Sequence, residues 1–112
     1  MRDLVAALLE LQELEIVLQE SRILHEAKAP DKLAELKTRI GELRETISPT
    51  ALKRYDRLRQ TGLGVVRENC GVCTSCRLSV PLGDLGRMRR GEMTWCCPNC
   101  GRFLLLSGAK RS

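Results

Sequence analysis

Leu4, Ala7, Leu11, Leu14, Leu18, Ser21 and His25 follow one another at alternating steps of three and four. A mostly apolar stripe with that period predicts an amphipathic helix with a coiled-coil-like seam. Leu33, Leu36, Ile40, Leu43 and Ile47 repeat the pattern and predict a second helix. Between them lies "AKAPDK", where Pro30 cannot continue the first helix and Asp31 can accept from the opening amides of the next. So short a connection predicts an antiparallel hairpin. A third start follows in "ISPTALKRYDRLRQ", with Ser48 as N-cap, Pro49 at the first helical position and Leu52, Tyr55 and Leu58 on one face, ending near Thr61 and Gly62.

The two long helices are unequal. About 26 residues span roughly 39 Å and about 16 span roughly 24 Å, so Leu4, Val5 and Leu8 are expected to run past the second helix and to need another cover. Leu9, Ile16 and Ile23 form a second stripe, expected to meet the third helix, the later half of the chain or a second copy. Only Gly41 of the nine glycines precedes residue 62, so residues 61–112 must turn often. There "VVREN", "RLSV" and "CGRFLLL" read as short strands.

Charge adds an asymmetry. Residues 1–49 hold 7 basic and 10 acidic side chains, net −3, whereas residues 50–112 hold 12 and 4, net +8. A basic second half can attract nucleic acid, an acidic protein or anionic lipid, and solvated surface charge is the plainer reading. Arg67, Arg77, Arg87, Arg89, Arg90 and Arg102, with Lys110 and Arg111, are the candidate phosphate contacts. Trp95 is expected in the core rather than as a base-stacking platform. Asp3, Glu10, Glu13 and Glu15 interrupt the first apolar stretch, so no membrane span or signal peptide is expected and the chain reads as cytoplasmic.

Chemistry is concentrated in six thiols, Cys70, Cys73 and Cys76 in "CGVCTSC" and Cys96, Cys97 and Cys100 in "CCPNC". Two Cys-x-x-Cys turns present four sulfurs to one ion, and in a chain with no mark of export they argue for metal thiolate, Zn2+ first, rather than disulfides. Cys97 and Cys100 form the later turn, with Gly101 free to take a positive φ. The earlier turn can use Cys70 with Cys73 or Cys73 with Cys76. We choose Cys73 and Cys76, because "VVREN" must end before the turn and "RLSV" then mirrors "CGRFLLL". Cys70 as a ligand, or an exchange of Cys96 for Cys97, stays open. Few large apolar residues follow Val65, so this half is expected to depend on its metal for its shape.

The expected fold is therefore α+β: an antiparallel helical hairpin with a short third helix over residues 1–60, then a small antiparallel β zinc ribbon over 61–112. In keeping with this, "GVCTSCRLSVP" and "CPNCGRFLLL", preceded by "ISPTALKRYDRLR", resemble the bacterial C4-type zinc-ribbon family, whose members join an N-terminal coiled-coil hairpin to a C-terminal zinc ribbon. The resemblance covers residues 47–106. It implies Cys73, Cys76, Cys97 and Cys100 as ligands, and nucleic-acid-binding or adaptor and chaperone-like roles. The hairpin here is much shorter than is usual in that family, so a partner surface at its distal tip is not carried over.

Catalysis is not expected. His25 is the only histidine and sits at the hairpin turn, the carboxylates Glu10, Glu13, Glu15 and Glu20 lack a pocket, and no phosphate-cradling glycine loop is present. Four sulfurs leave zinc no open position for water. The expected function is a non-enzymatic adaptor with no small-molecule substrate, whose hairpin meets a protein partner or a second copy and whose basic ribbon meets RNA or DNA. The competing readings are a purely protein-binding scaffold and a thiol oxidoreductase using Cys70 or Cys96.

Overall fold

The computed structural model describes residues 2–25 and 30–107, the side chains of 21–25 and 30–31 excepted. The expectations for Ile23, His25, Asp31, Lys110 and Arg111 lie outside those described residues. Helix α1 is Arg2–His25, α2 is Pro30–Thr46 and α3 is Pro49–Arg59. The third helix starts as its sequence requires: Ser48 is the N-cap, its hydroxyl accepting from the Ala51 amide at 3.3 Å, with proline next.

The seam of the hairpin buries Leu11, Ile40, Leu43 and Ile47 and half-buries Leu14 and Leu18. Ion pairs tie the two helices, Arg39 to Glu10 at 2.7 Å and Arg44 to Glu15 at 2.6 Å. Glu15 also accepts from the buried Tyr55 hydroxyl at 2.7 Å, and Arg44 reaches Asp56 at 2.9 Å, which brings α3 onto the hairpin. Burial and that bond to a carboxylate both push the Tyr55 hydroxyl above the usual phenol range, so it stays a donor.

The later half supplies β1 (Val65–Asn69), β2 (Val72–Cys73), α4 (Leu82–Arg89) and β3 (Phe103–Leu105). The sheet has the order β2-β1-β3. Within the expected α+β class it is mixed rather than purely antiparallel: β1 pairs with β2 antiparallel but with β3 parallel, Val65 beside Phe103 and Val66 beside Leu104. The reason is the path of the chain, which passes through β2 and α4 before β3 arrives in the direction of β1. "RLSV" does not form the returning strand; a single bridge joins Ser79 to Val72, and Leu78 is 53% exposed rather than in the core.

Helix α4 was not expected, because Gly83 and Gly86 mask its pattern. Leu85 and Met88 bury one face of it, and the buried Trp95 indole donates to the Met88 carbonyl at 2.7 Å. The part of α1 that overhangs α2 is covered by the sheet. Val5 and Leu8 are fully buried, and α1 lies against β1 and β3. Gln12 fixes this contact: its carbonyl accepts from the Gly64 and Val65 amides at 2.8 and 2.9 Å, and its amide donates to the Val65 carbonyl at 2.9 Å. At Gly64 a Cβ would stand 2.5 Å from the Tyr55 ring, so only glycine allows β1 to approach α3 this closely. One cluster of buried side chains therefore runs from α1 and α2 through α3 into the sheet. Among the described residues no helix is long and apolar enough to cross a membrane.

Candidate metal centre

Two turns with one hydrogen-bond scheme build the centre. In each, the amide of the first cysteine donates to the carbonyl five residues on, Cys73 to Leu78 at 3.1 Å and Cys97 to Arg102 at 2.9 Å. The carbonyl of that cysteine accepts from the amide four residues on, Arg77 at 2.9 Å and Gly101 at 2.9 Å. That fourth residue turns left-handed in both, with φ of 65° at Arg77 and 77° at Gly101. Cys-x-x-Cys is the part of this repeat visible in the sequence, and the backbone scheme explains the spacing: the tight turn aims both sulfurs to one side.

The sulfurs of Cys73, Cys76, Cys97 and Cys100 all lie within 4.8 Å of one another. Across the turns, Cys73 Sγ is 3.8 Å from Cys100 Sγ and Cys76 Sγ is 3.7 Å from Cys97 Sγ. A tetrahedron with about 2.3 Å from zinc to sulfur has edges of about 3.8 Å, so the donor set fits such an ion in both chemistry and spacing. These distances are far beyond the roughly 2.05 Å of a disulfide, and all six cysteines are free. Cys73 and Cys97 are buried in the core, while Cys76 and Cys100 are half-buried at the outer lip.

The surroundings suit thiolate bound to a cation. Burial pushes the Cys73 thiol up to about 12, with the Cys76 and Ser75 amides pulling the other way; a cation bound there would favour the thiolate over the thiol. The Asn99 amide donates to Cys97 Sγ at 3.4 Å, and the Asn99 side chain reaches the Ser79 carbonyl at 3.5 Å, linking one turn to the other. Arg54 of α3 donates to the Gly101 carbonyl of the second turn at 2.9 Å and lies over the Phe103 ring. Arg102, just past the second turn, donates to the Leu63 carbonyl at 2.7 Å.

Cys70 and Cys96 stand apart from the cluster. Cys70 is exposed at φ 53°, its thiol donating to the Asn69 side-chain Oδ1 at 3.6 Å. Cys96 is buried beside Phe103, and burial raises its thiol above the ordinary range despite Arg54, which leaves it a poor nucleophile.

The basic candidates do not form one face free of partners. Arg87 pairs with Asp84 at 2.6 Å, Arg89 with Glu68 at 3.6 Å and Arg90 with Glu92. With Arg102 committed to Leu63, only Arg67 and Arg77 of the six lack an internal side-chain partner among the described residues. Sequence reasoning passed over Lys53, Arg54 and Arg57, which line a groove between α3 and the second turn. Their signal was three cations at i, i+1 and i+4 of one short helix. No family model, curated protein or solved structure matches the chain.

Proposed function

We propose that this protein is a non-enzymatic zinc-ribbon adaptor. A Zn2+ ion held by Cys73, Cys76, Cys97 and Cys100 locks the later half onto the helices, the hairpin meets a protein partner or a second copy, and the basic second half meets nucleic acid. The observation that carries the reading is the convergence of four free sulfurs at tetrahedral spacing. The resemblance of residues 47–106 to bacterial C4-type zinc ribbons supports it from the sequence. A sulfur tetrahedron suits zinc or iron, and zinc supplies shape without redox chemistry. With four protein ligands such an ion has no position for water or substrate, so its work is structural.

Elemental analysis of the purified chain is expected to give one zinc per chain and no iron, with four thiols protected from a thiol reagent until a chelator is added. Metal-free material that stays compact and protease-resistant defeats the reading. A second reading, a protein-binding scaffold without nucleic-acid contact, is favoured by the exposure of Leu78 (53%) and Leu82 (84%) just after the first turn. Binding to generic RNA and duplex DNA across a salt titration separates the two. Steep loss of affinity with salt supports the first, and no binding at low salt leaves the second.

A further inference from the structure

Only four acids, Asp56, Glu68, Asp84 and Glu92, stand among the twelve cations of residues 50–112, and each is already met. Arg44 of α2 holds Asp56 at 2.9 Å, Arg87 holds Asp84 at 2.6 Å, and Arg90 holds Glu92. Glu68 is buried, accepting from the Gly71 and Ser107 amides at 2.8 Å each, with Arg89 outside it. The acids thus meet Arg44 of α2 and Arg87, Arg89 and Arg90 in and just after α4; none is within ion-pair distance of Lys53, Arg54 or Arg57, and Asp56 lies with Lys53 and Arg57 only along the opposite groove, beside Arg44.

A groove of about 750 Å3 runs between α3, the start of α1 and the second cysteine turn. Its cations are Lys53, Arg54 and Arg57, it also carries the hydroxyl groups of Thr50 and Thr94, and no carboxylate lines it. Arg54 is held in place by the Gly101 carbonyl and the Phe103 ring, whereas Lys53 and Arg57 make no ion pair among the described residues. Lys53 and Arg57 are one helical turn apart, about 6 Å along the axis. A lone carboxylate neutralises one of three charges set out in this way. Successive phosphates neutralise all three and release the counterions that would otherwise gather there.

We propose that the α3 groove, rather than the row of ribbon arginines, grips consecutive phosphates of a nucleic-acid strand. This rests on the nucleic-acid reading given above and assigns it a different surface from the one the sequence pointed to. Arg54 couples the grip to the metal centre, because the same side chain lines the groove and donates to a carbonyl of the second cysteine turn.

The test is fluorescence anisotropy of the zinc-loaded full chain with a labelled oligouridylate and a labelled DNA duplex, titrated with salt. The two probes separate single from double strands as the source of the phosphates. Lys53→Gln/Arg57→Gln is expected to flatten the slope of log affinity against log salt by about 1.4 to 1.8 and to weaken low-salt binding about tenfold or more. The matched ribbon pair Arg67→Gln/Arg77→Gln is expected to cost less than half as much. The charge-conserving pair Lys53→Arg/Arg57→Lys should keep the parent slope, which distinguishes lost charge from damage to α3, and zinc content and helical circular dichroism should be unchanged throughout. Binding by the parent that survives the groove variant, or that falls equally in the ribbon variant, overturns the proposal while leaving nucleic-acid binding intact. A parent that binds neither probe at low salt overturns both.

Discussion

The two cysteine turns have the same backbone scheme and different supports. The second is set into the core: Trp95 and Cys96 precede it, Cys97 opens it and Phe103, Leu104, Leu105 and Leu106 follow it, all buried. Its strand lies along β1, and Arg54 of α3 holds its Gly101 carbonyl. The first turn has a two-residue strand before it and the exposed Leu78 after it. It depends instead on polar ties, the Thr74 hydroxyl to the Arg67 carbonyl at 2.7 Å and the Gly71 amide to the Glu68 carboxylate at 2.8 Å. The lesson is that equal sulfur geometry does not mean equal stability. Burial of its flanks is expected to hold the second turn longer once a bound ion is removed, and the first turn is expected to open before it.

Removing the metal tests this difference with the largest effect. A structural zinc contributes about 10 to 16 kcal/mol in small domains of this kind. Chelation, or Cys97→Ser, is expected to open residues 61–107 to proteases and release the ion, while helical circular dichroism is largely kept, since the α1–α2 seam and the Tyr55–Glu15 contact need no sulfur. Amide exchange after chelation should rise earlier at Cys73 and Arg77 than at Cys97 and Gly101. Simultaneous loss of protection in both turns would erase the contrast between them.

Next in size is Glu68→Ala, which removes a polar tie of the first turn at Gly71 together with the tie to Ser107 beyond β3. Burial alone would raise this carboxyl, but the Ser107 and Gly71 amides, the Ser107 hydroxyl and Arg89 outweigh it and hold it below the usual range. Its loss leaves two backbone donors without their acceptor, at about 1 to 3 kcal/mol each when buried. Because Ser107 is exposed, the sum should fall near 2 to 3 kcal/mol, read from urea unfolding at fixed free zinc. The Arg89 pair adds little, with its guanidinium about half exposed. A shift below about 0.5 kcal/mol would mean that the first turn does not lean on this carboxylate.

How far the sequence foretells this architecture depends on the range of the forces involved. Helices α1 to α3 were legible because their apolar period and the Ser48–Pro49 start are local. The cysteines that converge are the four chosen from the sequence, although spacing alone allowed Cys70 with Cys73 as well and the strand reading on either side of the first turn made the choice. Helix α4 was hidden because what holds it, Trp95 on the Met88 carbonyl and the burial of Leu85, comes from outside its eight residues. The parallel β1–β3 pairing was hidden for the same reason. So was Gln12, a polar residue in a helical stripe whose partners Gly64 and Val65 lie 52 and 53 positions away. The α3 groove needed knowledge of which acids were already occupied, which no local pattern provides.

The smallest predicted effect concerns the left-handed residue that closes each turn. Arg77 and Gly101 occupy equivalent left-handed positions, at φ 65° and 77°. A side chain with a Cβ costs about 1 to 2 kcal/mol there, offset in part because glycine loses about 0.4 to 1 kcal/mol more chain entropy on folding. Arg77→Gly should therefore stabilise the zinc-loaded chain by about 0.5 to 1 kcal/mol, and Gly101→Ala should destabilise it by a similar amount. Steric space does not decide the second case, since a Cβ at Gly101 would meet only Arg54 Nη2, at an ordinary 3.6 Å. Paired urea titrations at fixed free zinc measure both changes, and opposite signs are the expected outcome. Destabilisation by Arg77→Gly would show that the arginine side chain, exposed and without an internal partner, gives the first turn a support that offsets its backbone strain.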